Sequence, residues 1–480
     1  MSFNSLSLPA INSSSRFTVA SAPYYPIVSF TPLPCAINAS TTWQILNVGD
    51  PQIIFADNYY YSFSTDVMVG EGSFPLFGPI LSSIQIRRSL DLIKWDWYGT
   101  AISAVPADAR AHVPGVTKVW APHVEKMNDR FFLYYSVSNF GTALSYIGVL
   151  SSVSVTGPWI NLGEVYKTNI GSTENAIDPN ICWDKDNNPW LIYGSYFTGL
   201  YIIRINSNTG KILSGATKYN IARRPSVQGL SAIEGGFIIY NPNFNYYYLF
   251  SSYGQCCSAG AVAAGQPPYE MRVSRAVDIT GAYFDFNGLS ATDINTIPSL
   301  RVGNKLAGGY KFKNTEGWLA PGHNAVFKKE NDYFTVHHAR ADKNWDWQYL
   351  HVRRIVWSDN GWPLLLPQRY AGETLQKITS SMLVGNYQHL THIRILTSQV
   401  SSFDMSLLNS GVISGTTVLL SSFWRNTGTN TLTLSFSSAG GGYFIDTCKV
   451  WPAWDWELNK STICYTGLNL DGNSVWGKKV

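Results

Sequence analysis

One pattern recurs five times along the chain, and it restricts the fold more than any other feature. The segments run from Asp50 to Ser64, Ala121 to Ser138, Asp178 to Ser195, Glu234 to Ser252 and His323 to Ala339. Each begins at a distinctive residue and a short apolar run, turns through Asn or Asp, and continues into an aromatic run. The aromatic runs include Tyr59-Tyr60-Tyr61, Phe131-Phe132-Leu133-Tyr134-Tyr135 and Tyr246-Tyr247-Tyr248-Leu249-Phe250. Such turns suit β-hairpins. A hairpin that repeats at this spacing predicts one blade of a β-propeller per repeat, hence five blades.

Helical periodicity is almost absent, and short β-branched and aromatic runs alternate with Gly, Asn, Asp and Pro clusters. The expected class is all-β: a five-bladed β-propeller followed by a C-terminal β-barrel or sandwich. The expected boundaries are 41–372 for the propeller and 375–480 for the second domain, which should pack on the propeller. Residues 1–40 would form an N-terminal extension lying against it.

Composition narrows the function. Charged residues are 14% of the chain and aromatic residues 14%, with 17 Trp and 28 Tyr. This is poor in charge and rich in flat faces, which fill a β core and also stack on sugar rings. The net charge is +4 with no basic stripe, which argues against a nucleic-acid partner. No apolar run reaches the length of a membrane span. Met1 to Phe17 is Ser-rich and lacks the basic and apolar regions of a signal peptide. Six cysteines are too few for a disulfide scaffold, and their spacing does not suggest zinc. Cys448 and Cys464 flank a turn and are candidates to pair across two strands, or to stay free. Arg87-Arg88 and Arg353-Arg354 read as strand-surface pairs. Asn12, Asn38 and Asn459 stand in Asn-x-Ser patterns, relevant in a glycosylating host.

The repeat also locates the chemistry. The innermost strand of every blade lines the central channel, so equivalent positions meet around one axis. Those positions hold Asp50, Ala121, Asp178, Glu234 and His323. Taken singly, each acid is better read as a blade-to-blade hydrogen-bond partner. Three carboxylates at one repeat position favour chemistry. Glycoside hydrolysis needs one carboxyl to protonate the leaving oxygen and another to activate water or attack carbon. A third can push the acid's pKa upward.

Several motifs carry a family resemblance in combination. They are Gly49-Asp50-Pro51, Trp120-Ala121-Pro122, Tyr134-Tyr135-Ser136-Val137-Ser138, Gly157-Pro158-Trp159 and Asn175-Ala176-Ile177-Asp178-Pro179, then Tyr193-Gly194-Ser195. Ala222-Arg223-Arg224, Ile233-Glu234-Gly235, Tyr248-Leu249-Phe250-Ser251-Ser252, Cys256-Cys257 and Pro321-Gly322-His323-Asn324 follow in order. With these the chain resembles the arabinanases of glycoside hydrolase family 43 over most of its length. Its tail, with Asp455-Trp456-Glu457, Tyr465-Thr466-Gly467-Leu468 and Trp476-Gly477-Lys478-Lys479, is similar to the small β domain of some bacterial endo-arabinanases.

The resemblance implies an inverting hydrolase that acts within α-1,5-arabinan, secreted and monomeric. Asp50 would be the general base, Glu234 the general acid, and Asp178 the group that raises the pKa of Glu234 and holds it. His323 would sit beside a bound metal, usually calcium, with water completing the shell; a hydrogen-bonding core histidine is the plainer alternative. Asn175 and Ser195 would contact sugar or orient Asp178. Trp120 and Phe140 would wall the sugar subsites, although Phe140 could equally fill the core. Cys256-Cys257 could be a vicinal disulfide or two thiols. The chain departs from the family pattern at Gly49, where His is usual, at His123, where Asp is usual, and at Gly235-Gly236, where a small residue and Pro are usual. An exo-acting arabinanase or arabinofuranosidase of the same family is the alternative, since loops around the channel decide between groove and pocket. A carbohydrate-binding propeller without catalysis, or a protein-interaction propeller, is the reading from another class. The departures keep the former open, and the latter has no reason to gather acids in its channel.

Overall fold

The computed structural model describes residues 45–67, 84–226, 231–257, 259–295, 301–342 and 344–480. The expected 1–40 extension, with Asn12, Cys35 and Asn38, lies outside the described residues. Five sheets form the propeller, and each is built from strands taken in chain order. The first blade is β1 Gly49–Ala56, β2 Tyr59–Thr65, β3 Ile84–Ser89 and β4 Asp96–Thr100. The second is β5 Trp120–Met127, β6 Arg130–Ser138, β7 Ser145–Ser152 and β8 Ile160–Thr168. The third is β9 Asn180–Trp183, β10 Pro189–Tyr193, β11 Leu200–Arg204 and β12 Lys218–Ala222. The fourth is β13 Ile233–Asn241, β14 Tyr246–Tyr253, β15 Glu270–Ala276 and β16 Asn304–Ala307. The fifth is β17 Tyr310–Lys311, β18 Trp318–Lys329, β19 Asp332–Ala341, β20 Asn344–Trp357 and β21 Pro363–Leu365.

The aromatic run of each repeat is the second strand of its blade, with sheets packed against both faces. Phe131 to Ser138 are buried without alternation, as are all residues of β7. A strand covered on both sides has no polar face, which is why the runs read as continuous rather than alternating. The same packing corrects the arginine expectation. Arg87, Arg353 and Arg354 are buried, and only Arg88 is partly exposed, its guanidinium 4.8 Å from the Tyr59 ring. Arg87 donates to the Leu46 carbonyl at 2.7 Å, and Arg353 to the Leu366 carbonyl at 3.2 Å. Buried guanidinium groups of this kind tie loops to blades through backbone acceptors.

The ring closes on the start of the described chain. Val48 donates to the Gln348 carbonyl at 3.1 Å, and Leu350 donates to the Ile45 carbonyl at 2.7 Å. Residues 45–48 therefore hydrogen-bond to the fifth blade before the chain enters the first.

The second domain is one eight-stranded antiparallel sheet. Its strands are β22 Gly385–His392, β24 Phe403–Leu407, β25 Ile413–Ser414, β26 Phe423–Gly428, β27 Thr431–Ser437, β28 Tyr443–Asp455, β29 Lys460–Asn469 and β30 Ser474–Lys479. A Val412–Phe423 bridge links its two edges, so the sheet rolls into a nearly closed barrel around Tyr387, Leu432, Leu434, Val450 and Tyr465. The short strand β23 Val400–Ser401 leaves the barrel to pair in parallel with β17 of the fifth blade. Arg394 plugs the loop after β22 into the fourth blade, bonding Asp285 at 2.8 Å and the Arg301 carbonyl at 2.8 Å. Cys448 and Cys464 do not pair. Cys448 lies opposite Gly467 and Cys464 opposite Trp451, so the two sulfurs are out of register, and both thiols are free and buried. Cys256 and Cys257 are bonded to each other. Asn459 sits in the β28–β29 turn with a φ of 52°.

Candidate active site

Each blade enters the channel through a kink. The register slips between Gly49 and Gln52, Trp120 and His123, Glu234 and Phe237, and Gly322 and Ala325. At or next to each slip one residue has left-handed backbone: Asp50 (φ 48°), Ala121 (44°), Gly235 (60°) and His323 (46°), with Asp178 (60°) just ahead of β9. Left-handed non-glycine residues are uncommon and cluster at functional sites. Here they re-aim Asp50, Asp178 and His323 at the axis, as a bulge does. The fourth blade corrects the sequence alignment by one residue. Gly235, not Glu234, is the counterpart of Asp50, and Glu234 occupies the place of Gly49 and Trp120.

A ring of hydrogen bonds locks these kinks together. Cross-strand from the residue before each kink stand Thr65, Ser136, Ser252 and His338, opposite Gly49, Trp120, Glu234 and Gly322. Each accepts the backbone N–H of the next blade's left-handed residue. Thr65 takes Ala121 at 2.8 Å, Ser136 takes Asp178 at 2.9 Å, Ser252 takes His323 at 2.7 Å and His338 Nδ1 takes Asp50 at 3.3 Å. Between the third and fourth blades Asp178 does this itself, accepting the Gly235 N–H on Oδ2 at 3.0 Å.

Three carboxyls and an imidazole thus share one space. Asp50 accepts the Thr65 hydroxyl at 2.7 Å and lies 3.1 Å from His323 Nδ1; its side chain is 21% exposed. Glu234, 8% exposed, accepts Ser195 Oγ at 2.7 Å and Tyr269 OH at 2.8 Å, one on each oxygen. Asp178 is 5% exposed. Burial pushes Asp178 up to about 7, with the charges of Glu234 and Asp50 adding to the rise and His323 opposing it. Burial raises Glu234 too, against the pull of Ser195 and Tyr269. Burial would lower His323, but Asp50, Asp178 and Glu234 together hold it above its ordinary value. The cluster therefore keeps a carboxyl proton near neutrality while a more open carboxylate faces solvent.

The remaining expected residues spread outward. Phe140 is 76% exposed, so it does not fill the core, and it meets Trp120 edge-on at 6.3 Å. Ser195 holds Glu234 rather than Asp178. Asn175 accepts Ser145 Oγ at 2.5 Å, which ties it to the second blade. Tyr269 was not legible in the sequence because it lies outside the repeat. His338 had a signal, since it occupies the repeat position of Ser136 and Ser252.

Two of the departures from the family pattern sit where a side chain has little room. A Cβ on Gly49 would lie 2.5 Å from Val67 Cγ1 and 2.7 Å from Gln348 Oε1, which leaves no room for histidine. A Cβ on Gly236 would lie 2.7 Å from Ile192 Cδ1. His123 is buried beside Phe237, 3.6 Å from Glu125. Among the described residues no three His, Cys, Asp or Glu side chains are grouped to hold a metal. His323 offers one imidazole, with Nδ1 turned to Asp50.

The sequence profile of the glycosyl hydrolases family 43 matches residues 45–363, and that of a C-terminal lipocalin-like domain matches residues 367–477. An extracellular endo-alpha-(1->5)-L-arabinanase of Thermotoga petrophila is 28% identical over 91% of this chain and 94% of its own. The crystal structure of endo-1,5-alpha-L-arabinanase from Thermotoga petrophila superposes with a TM-score of 0.76 at 26% identity, covering 91% of this chain and 99% of that one. An extracellular exo-alpha-(1->5)-L-arabinofuranosidase of Cellvibrio japonicus is 29% identical over 68% of this chain and 89% of its own.

Proposed function

The chain belongs to the glycosyl hydrolases of family 43 and is a glycoside hydrolase, and we propose that it cuts α-1,5-arabinan internally, outside the cell, with inversion. The observation that carries this is the pairing of a buried, doubly hydrogen-bonded Glu234 with a more exposed Asp50 across one channel. In the proposed step Glu234 gives its proton to the glycosidic oxygen as the C1–O bond breaks. Asp50 takes a proton from a water that attacks C1 from the opposite face, so one displacement inverts the anomeric centre. Asp178 shares the cluster's proton and, through the Gly235 N–H, fixes the backbone beside the acid. His323 offsets the charge of Asp50 at 3.1 Å. Trp120 and Phe140 offer faces on which arabinose rings can stack.

Likeness along almost the whole length, barrel included, to an enzyme named an endo-arabinanase supports internal cleavage, and the extracellular names of the relatives support secretion. Over the propeller alone the exo-acting relative matches 68% of this chain and an endo-acting one of Bacillus subtilis 65%, so only the likeness that includes the barrel favours internal cleavage. Digestion of linear 1,5-arabinan, with products sized over time, tests the reading. Early release of oligomers of several lengths is expected. Free arabinose as the sole early product would make the enzyme exo-acting, and intact polymer would make the propeller a binding module.

Calcium belongs to the same proposal: it would be held by His323 in its neutral form, with water as its other ligands, and would then replace the imidazolium as the charge that offsets Asp50. A hard cation takes six to eight oxygens, so one imidazole would hold it weakly. When bound it would supply positive charge on the channel axis. Dialysis against EDTA should lower activity about twofold or more, with recovery on adding calcium. Unchanged activity and an unchanged melting curve would remove the ion from the site.

A further inference from the structure

The fifth blade breaks the hydroxyl rule of the ring. Thr65, Ser136 and Ser252 accept the next blade's N–H through a small oxygen, but His338 does so through Nδ1. The arrangement has a drawback. An imidazole accepting on Nδ1 carries its proton on Nε2, and His338 Nε2 is buried without a hydrogen-bond partner. Burial holds the ring neutral, with the charges of Arg340 and His323 acting in the same direction. A serine there would satisfy the same N–H and leave no orphan, so the ring should be doing something a hydroxyl cannot.

What the ring adds is a flat platform. Tyr269 stacks on it, with centroids 5.6 Å apart and planes 15° from parallel. The backbone opposite is shaped for that ring. Gly322, the cross-strand partner of His338, would place a Cβ 2.2 Å from Tyr269 Cδ1, so only glycine admits it. From this seat the Tyr269 phenol donates to Glu234 at 2.8 Å. Burial and the charge of Glu234 push the phenol well above its ordinary value, which keeps it a donor. One buried side chain, 288 residues from Asp50 in sequence, thus touches the backbone of one carboxylate and the support of the other.

We infer that His338 is a positioning residue for both carboxylates: Nδ1 fixes the backbone of Asp50, and the ring face fixes Tyr269 and through it Glu234. The inference rests on the proposed roles of those two acids. Neither His338 nor Tyr269 is assigned the proton transfer, so their loss should slow the reaction more than it weakens binding.

Three variants separate the two contacts. His338→Asn keeps an acceptor near the position of Nδ1 and loses the platform. His338→Phe keeps the platform and loses the acceptor. Tyr269→Phe keeps the stack and loses the phenol. Each should fold, and each should lower kcat on linear arabinan about tenfold with KM changed less than about twofold. His338→Asn combined with Tyr269→Phe should be no slower than the slower single variant, because both act through one phenol. His338→Phe combined with Tyr269→Phe should be slower than either. If His338→Asn and Tyr269→Phe fold with kcat within about twofold of wild type, the inference is overturned, as it is if their effects multiply. Should His338→Asn not fold, Tyr269→Phe, which removes only one oxygen, decides alone by the same kcat criterion. Asp50→Asn and Glu234→Gln test the underlying roles separately. Wild-type rates in those two would defeat the proposed function, whereas their inactivity beside unaffected His338 and Tyr269 variants would defeat only the positioning role.

Discussion

Glu234→Gln should lower kcat on linear arabinan about 10²- to 10⁴-fold, the range a general acid supplies. Glutamine keeps the size of the side chain, and its one oxygen can still accept from either Ser195 or Tyr269, the two donors now at 2.7 and 2.8 Å on separate oxygens, while its NH2 can donate to the other hydroxyl. It cannot deliver a proton, so KM should change little. An aryl arabinofuranoside whose leaving group departs without protonation should be spared most of the loss. The pH profile adds a second signature. The wild-type rate requires the shared proton, so kcat/KM should fall as pH rises through about 7, where Asp178 is held by burial and by the charges of Glu234 and Asp50. Gln at 234 removes one of those charges, and the fall near neutrality should vanish. Full turnover in the variant, or an unmoved alkaline limb, would remove Glu234 from the role of acid.

The second large effect concerns the joint between the domains. Arg394→Met should destabilise the folded chain by about 3–5 kcal/mol, the cost of stranding one member of a buried ion pair. Its partner Asp285 has a side chain with no solvent exposure and also accepts the Gly303 N–H at 3.1 Å. Arg394 further satisfies the Arg301 carbonyl at 2.8 Å and the Asp471 carbonyl at 2.6 Å. Adding Asp285→Asn should recover part of the loss, because asparagine keeps an oxygen for the Asn287 and Leu289 N–H groups and has no charge to strand. Denaturant unfolding of the single and double variants measures both numbers. Equal midpoints for wild type and Arg394→Met would mean that the pair contributes nothing net to the joint.

The five hairpins were readable because each blade repeats a turn and an aromatic run, and local sequence dictates both. The channel position of Asp50, Asp178 and His323 followed from the repeat. Glu234 was found at the right end of its strand but one residue out of phase. Phase is set by the bulge between Glu234 and Phe237, and a bulge shifts register without changing composition. The arginines misled because alternation marks a surface only when one face of the sheet is wet, and these sheets are covered on both. The pairing of Cys448 and Cys464 stayed open because closeness along a hairpin does not set register; Cys464 faces Trp451. Tyr269 reaches Glu234 through pairing between β14 and β15 and the absence of a side chain on Gly322, neither of which a linear pattern records. The barrel was foreseen only as a barrel or a sandwich, since the Val412–Phe423 bridge that closes it joins two unremarkable residues.

The seam of the ring has a consequence for how the enzyme comes into being. All four strands of the first blade are made early, yet the Asp50 N–H finds its acceptor only at His338, and residues 45–48 find their partners at Gln348 and Leu350. Contacts that span so much chain carry a loop-closure cost and form late. A nascent chain can therefore hold Glu234 beside Ser195 while Tyr269 and the base both still lack the support of His338. Catalytic competence arrives when the circle shuts, so an unclosed ring would be a folded but silent protein.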